Sequence, residues 1–370
     1  GFTSFDDIPR RNVENFTVQA FIDEFEKPNL PVIFTNIVNK WPATTLWNTE
    51  NLSKQCASIK FRTTSTTAPV AASFTMSDYF EYARNTSDEA PLYLFDRNYS
   101  QFEILSEAQY SLPPYFSPDA AHGTDLFRLL GPERRPDYRW LIIGPARSGS
   151  IFHIDPNQTN AWNAAIQGRK KWIFYPPGVS PPGVMASEDE GDVTVPLTTS
   201  EWLLSFWTHH VENRGNPDLS KRPVEVILQQ GEMIFVPHNW WHMVVNLDDC
   251  IALTHNYVSS SNLADVLRFL KEKPDQISGI RDRPDEAIPP EAIYDDFCKE
   301  LENHYPDIYK KAKTDSLKLS TRQCFKMNDK IDLFKRRCRK FSNYFDEAKL
   351  KKEVLKSEKF SKESTLNNHT

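Results

Sequence analysis

The 370-residue chain reads as a mainly β protein with helical additions: a double-stranded β-helix, or jelly roll, with an α-helical C-terminal appendage. Three observations point there. Between residues 139 and 258, short apolar runs recur with turn punctuation and no helix between most of them, the texture of an antiparallel double-sheet barrel. From Leu263 onward the pattern changes to helical stretches separated by proline-rich ground. A hydrophobic content of 39%, with 12% aromatic, is ample for a large core.

Taken in order, the amphipathic run FTVQAFIDEF (16–25) predicts a short helix over 18–26, ended by Pro28. LPVIF (30–34) follows as a strand, then a turn rich in Pro and Trp (Trp41, Pro42, Trp47) and a mixed region with a helix over 76–84. A strand is expected at 91–96, and a connector containing LPPY (112–115) leads to the barrel. Barrel strands are expected at 139–143, 150–154, 160–166 and 170–175. An insertion comes next, proline-rich and then acidic (Glu188, Asp189, Glu190, Asp192), with a helix at 201–211. Strands resume at 224–228, 233–236, 243–246 and 251–258. Asn262 or Ser261 caps a helix running to Lys271, and further helices are expected at 291–302, 307–313 and 330–340. The regions are therefore an N-terminal α/β part supporting the barrel (1–137), the barrel (138–260), a helical part (261–356) and a disordered tail (357–370).

No stretch of about 18 apolar residues suggests a membrane span. The start, GFTSFDDIPRRN, lacks a basic-then-apolar leader and does not begin with Met, so it is expected to be a fragment edge. Five scattered cysteines, odd in number and without a Cys-X-X-Cys pair, argue for a reducing compartment and against a zinc knuckle or disulfide scaffold. Sequons at Asn15 and Asn157 read as accidental. The formal charge of −6 conceals an asymmetry: residues 321–370 carry 14 basic and 7 acidic side chains, and the rest 30 basic and 43 acidic. An acidic body attracts basic peptides more readily than nucleic acid. The basic end permits a weak nucleic-acid contact, but a solvated helix face is the plainer reading.

The chemistry centres on IFHIDPNQTNAWNAAIQGRKKW (151–172). In a strand, residues two apart share a face, so His153 and Asp155 project together. An imidazole beside a carboxylate supplies two metal ligands. His242, between two late strands, is the best third, and two His with one carboxylate leave three positions open, as in non-haem Fe(II) oxygenases. On its own, His-X-Asp is more often a core hydrogen-bond pair. Lys170 shares a strand face with Trp172 and Phe174, and a lysine among large apolar groups needs an anionic partner. Asn163 sits on the preceding strand, and Thr254 and Asn256 share a face of a late one. Lys171, on the opposite face from Lys170, reads as a surface lysine. Of Trp240 and Trp241, one is expected to pack the core and the other to line the site mouth. His209, His210 and His238 read as surface or loop residues. The loop GPARSG (144–149) resembles a phosphate-binding turn only superficially, since the P-loop lysine and following helix are missing.

The segment 138–259 resembles a JmjC domain of the Fe(II)/2-oxoglutarate oxygenases, a cupin-like jelly roll. The matching runs are YRWLIIGPARSGSIFHIDP, TNAWNAAIQGRKKWIFYPP, GEMIFVPHNWWHMVVNL and IALTHNYVS, with PLYLFDRNYS (91–100) upstream. It is most similar to the branch holding the nuclear lysyl hydroxylase also proposed as an arginine demethylase, and to its F-box-linked relatives. The resemblance implies that His153, Asp155 and His242 ligate iron. It implies that Lys170 meets the distal carboxylate of 2-oxoglutarate, helped by Thr254, Asn163, Asn256 and Tyr93. His255 departs from the family pattern, where Gln is frequent, as does the Pro-His-Asn preceding Trp240. The implied reaction couples oxidation of 2-oxoglutarate by O2 to hydroxylation or demethylation of lysine or arginine in basic protein segments, such as histone tails or RNA-binding proteins. A nuclear location, with cytoplasmic residence also open, is implied in the same way. Two other classes stay in play: a catalytically silent JmjC scaffold, and a cupin-type small-molecule enzyme using another metal.

Overall fold

The structure is a computed structural model that describes residues 5–65, 68–117, 125–187, 191–280 and 289–319. The helix expected at 330–340, the tail at 357–370, the basic end and the acidic residues Glu188, Asp189 and Glu190 lie outside the described residues. The chain divides into two units, 1–314 and 315–370. The second is described only over 315–319, which are helical.

Fifteen strands are described: β1 (Arg10–Asn12), β2 (Val32–Thr35), β3 (Lys60–Ser65), β4 (Ala68–Thr75), β5 (Tyr93–Asp96), β6 (Arg139–Gly144), β7 (Gly149–His153), β8 (Asn160–Gln167), β9 (Lys170–Tyr175), β10 (Met185–Ala186), β11 (Val193–Thr194), β12 (Val224–Leu228), β13 (Met233–Val236), β14 (Trp241–Asn246) and β15 (Cys250–Tyr257). From β6 to β9 the chain alternates between two sheets, and from β12 to β15 it does so again. The smaller sheet runs β12-β9-β14-β7, and β13-β8-β15-β6 form the centre of the larger one, all antiparallel. This weave is a jelly roll. The N-terminal strands extend the larger sheet at both edges. β2 adds to β13 with β1 beyond it, and β5, β3 and β4 add in turn to β6, giving nine strands.

Each face of the sheets is covered differently. Between the two sheets lie Trp172, Phe174, Val226, Ile234 and Trp240. The outer face of the larger sheet carries an aromatic-rich core built with the N-terminal region, where Phe34, Tyr115, Phe116 and Trp162 pack. The helix Thr199–Arg214 covers the outer face of the smaller sheet through Trp202, which stacks edge-on to Phe152 at 4.9 Å. A helical group (Leu263–Glu272, Pro290–His304) has its own core of Leu267, Leu270, Phe297 and Leu301.

Several local expectations change. The helix begins at Val18 under a Thr17 cap but widens into a π-helical turn over Ile22–Glu26, which ends on a buried Glu26 accepting from the Tyr257 hydroxyl at 3.0 Å. β3 and β4 arise from a Thr/Ser/Ala-rich run whose weak hydrophobic contrast hides the two-residue period. Lys171 is not a surface residue. β9 is buried on both faces, and Lys171 meets Glu225 of β12 at 2.7 Å, both fully buried. His210 is equally buried, with Nε2 2.9 Å from Glu225 and Nδ1 2.8 Å from the Tyr175 hydroxyl. His238 lies in the turn between β13 and β14, as a loop residue, but is buried there, its backbone N–H donating to Asn160 Oδ1. His209 is exposed, as its position suggested.

Candidate metal centre

β7 and β14 are antiparallel neighbours, and their register sets His153 directly opposite His242. The ring centroids lie 4.2 Å apart. Asp155 follows β7 by two residues, in the extended backbone that leads to Pro156. Ligand atoms of His153, Asp155 and His242 all lie within 4.8 Å of one another. The tautomers follow from the partners. His153 Nδ1 sits 2.8 Å from the Ile151 carbonyl and His242 Nδ1 sits 3.0 Å from the Trp240 carbonyl. A carbonyl only accepts, so each neutral ring carries its proton on Nδ1 and keeps the Nε2 lone pair for a cation.

The electrostatics match a cation site. Burial drives the His242 pKa well below its usual 6.5, and the neighbouring His153 pushes it the same way, so the ring stays neutral. Burial raises the Asp155 carboxyl to about 6, against the opposing pull of His153 and the Asn256 amide. Its Oδ2 is buried without a hydrogen-bond partner. A buried acceptor left unpaired costs about 1–3 kcal/mol, so this oxygen is poised for a positive charge.

These groups open into a cavity of about 250 Å³ between the two sheets. All eight residues singled out from the sequence line it: Tyr93, His153, Asp155, Asn163, Lys170, His242, Thr254 and Asn256. Lys170 is fully buried, and its Nζ donates to the Tyr93 hydroxyl at 3.0 Å and to Asn246 Oδ1 at 2.9 Å. Burial alone lowers its pKa, but the Tyr93 and Cys250 surroundings more than offset this and keep it raised. Both partners are neutral, and an ammonium has three donors, so the cavity holds a charge with capacity to spare. Asn163 Oδ1 is buried without a partner, while the Thr254 hydroxyl donates to the Trp162 carbonyl. Asn256 Nδ2 donates to the Thr159 hydroxyl.

Other residues complete the wall, and Phe95, Trp140 and Asn246 were not singled out from the sequence. Phe95 and Trp140 stack at 5.4 Å on one wall, and Trp172 lines the cavity beside His242. Trp172 is where the two-residue period from Lys170 put it, on the cavity face, and the same period from Tyr93 would have found Phe95. Asn246 needed the register, since it pairs with Lys170 across β14 and β9. Neither Trp240 nor Trp241 lines the cavity. Trp240 packs between the sheets, its indole N–H donating to the Asn29 carbonyl, and Trp241 packs on the outer face with Phe152 and Tyr175. His255 points out of the cavity, its ring stacked on Trp162 at 4.4 Å.

The family model for the cupin-like domain matches residues 18–263. The arginine-specific demethylase JMJ22 of Arabidopsis thaliana is 41% identical over 337 residues, covering 89% of this chain and 61% of its own length. The bifunctional arginine demethylase and lysyl-hydroxylase psr-1 of Caenorhabditis elegans is 36% identical over 263 residues, covering 70% and 63%. The 2-oxoglutarate and iron-dependent oxygenase JMJD4 of Homo sapiens is 30% identical over 277 residues, again 70% and 63%. The chain thus spans less than two thirds of each of these relatives. With the matched segment reaching from the N-terminal helix through the last barrel strand, this chain belongs to the cupin-like domain family.

Proposed function

We propose that the chain is an Fe(II)- and 2-oxoglutarate-dependent oxygenase that acts on lysine or arginine side chains of basic protein segments. One observation carries the reading: a single cavity holds two imidazoles and a carboxylate within 4.8 Å of one another, and a buried lysine with only neutral partners. The donor set fits the groups. His153 Nε2, His242 Nε2 and the unpartnered Asp155 Oδ2 would hold the iron. Lys170, with Tyr93, Asn163, Thr254 and Asn256, would hold a dicarboxylate whose far end meets the ammonium. Iron and 2-oxoglutarate, when bound, supply the oxidation of a C–H bond by O2.

The protein's own part is placement and exclusion of water. The Nδ1–H bonds to the Ile151 and Trp240 carbonyls fix both ring orientations. Trp172 and Phe174 flank the His242 ring and keep it dry. Among the described residues Asp155 is the only carboxylate lining the cavity, so a cationic substrate group would be met there by aromatic faces such as Trp140 and Phe95. Attraction of a cation to such faces is worth about 0.5–2 kcal/mol. The relatives named as arginine demethylase and lysyl-hydroxylase, and the net −13 of residues 1–320, both support a basic protein substrate. Histone tails or RNA-binding proteins as candidates, and a nuclear location with cytoplasmic residence also open, follow from the family resemblance alone.

The test is mass spectrometry of Lys/Arg-rich peptides, methylated and unmethylated, incubated with protein, Fe(II) and 2-oxoglutarate. Gain of one oxygen on a lysine would make the protein a hydroxylase. Loss of a methyl group as formaldehyde would make it a demethylase. No peptide product and no succinate would reject both in favour of a silent scaffold. Lys170→Ala is expected to raise the KM for 2-oxoglutarate about 10- to 100-fold with a smaller change in kcat, because a charge-assisted bond to a buried carboxylate is lost. An unchanged KM would remove Lys170 from the site.

A further inference from the structure

We infer that Asn246, locked in place by Ser148, is a positioning residue that holds the Lys170 ammonium ready for the distal carboxylate of the co-substrate. The inference rests on the 2-oxoglutarate reading above. It also gives a task to the loop GPARSG, which no nucleotide chemistry claims.

The polarity of the network is fixed by its two ends. Lys170 Nζ can only donate, so the Asn246 atom 2.9 Å from it is the amide oxygen. Asn246 Nδ2 then donates to Ser148 Oγ at 2.9 Å. The Ser148 hydroxyl spends its one hydrogen on the Pro145 carbonyl at 2.5 Å, which leaves its lone pairs to accept from Asn246. Every hydrogen in this line is therefore assigned, and the amide cannot flip without stranding a donor against the ammonium. Asn246, Ser148 and Lys170 are each about 1% exposed, so water does not compete.

The backbone is held by the same loop. Asn246 N–H donates to the Ser148 carbonyl and Arg147 N–H donates to the Asn246 carbonyl, both at 2.8 Å. Arg147, in the left-handed region at φ 76°, sends its guanidinium to the carbonyls of Asp88 and Thr86. A side chain at Gly144 would put its Cβ 2.3 Å from Ser148 Oγ and 2.6 Å from the Tyr93 ring, so glycine there lets both Lys170 supports sit close. A neutral amide is the suitable partner. It accepts from the ammonium without cancelling its charge, and the third N–H of the Lys170 ammonium remains for an anion in the cavity. An aspartate would pair with Lys170 internally and leave an incoming carboxylate uncompensated.

The experiment is calorimetric titration of the full Mn(II)-loaded chain with 2-oxoglutarate and with pyruvate, a 2-oxo acid lacking the distal carboxylate. Asn246→Asp is expected to weaken 2-oxoglutarate about tenfold or more, with pyruvate binding changed less than about twofold. Ser148→Ala frees the amide and is expected to weaken 2-oxoglutarate about threefold or more, again sparing pyruvate. It keeps the idea testable should the aspartate variant fail to fold. Unchanged 2-oxoglutarate affinity, or an equal loss of both ligands, overturns the positioning role. A wild-type chain that binds 2-oxoglutarate no better than pyruvate fails differently, because it removes the co-substrate reading itself.

Discussion

Asp155→Ala is expected to abolish 2-oxoglutarate turnover and at the same time leave the metal-free fold as stable as before, or more so. The two effects share a cause. Asp155 Oδ2 is buried with no partner, an arrangement that costs about 1–3 kcal/mol in the absence of a cation. Burial holds its carboxyl near 6, above the ordinary 3.8, so the folded chain keeps a proton that the unfolded chain has already lost. Stability of the metal-free protein therefore falls as pH rises between those values. Removing the side chain removes that penalty. It also removes the one carboxylate among the three proposed ligands, and a loss of about 4 kcal/mol or more of metal-dependent stabilisation corresponds to a rate loss of about 10³-fold or more. Succinate release checks the first half. Thermal melting with and without Mn(II) checks the second, where wild type gains stability on metal addition and the variant does not. Turnover within tenfold of wild type would sink the ligand assignment.

The legible part of this molecule is the part whose side chains alternate in contrast. His153 and Asp155, or Lys170 and Trp172, stand out because polar groups sit at the spacing of one strand face. The jelly roll followed from runs of that kind. Where contrast was missing, the pattern was silent. β9 is covered on both faces, so the period that marked Lys170 as buried marked Lys171 as exposed, although the helix Thr199–Arg214 covers that side too. β3 and β4 carry mostly Thr, Ser and Ala, whose burial depends on neighbours and not on hydropathy. Asn246 belongs to a third class. Its role depends on register with Lys170 and on a loop about 100 residues away in sequence. Strand period cannot supply either.

The largest expected loss of stability comes from the outer face of the smaller sheet, on the side of β9 opposite the cavity. Glu225 is fully buried and meets Lys171 at 2.7 Å, His210 at 2.9 Å and Arg214 at 3.2 Å. Lys171 and Glu225 are diagonal neighbours across β9 and β12, and His210 descends onto them from the covering helix. Burial pushes the Glu225 carboxyl up, but the His210 and Lys171 contacts overcome it and hold the carboxyl below its ordinary 4.5. The sign is opposite to that of Asp155: this group stabilises the fold above its unfolded pKa and loses that contribution as pH falls through the folded value. Glu225→Leu keeps the volume and leaves a buried lysine without this carboxylate, a change that costs about 3–5 kcal/mol in comparable buried pairs. Pairing it with Lys171→Met is expected to recover most of the loss, since two apolar groups replace two charges. Urea unfolding at neutral pH measures both, and repeating it through the acid range should show a shallower acid loss in Glu225→Leu. A single-variant cost under about 1 kcal/mol, or a double variant no better than the single, would mean that packing alone seats the helix on this sheet.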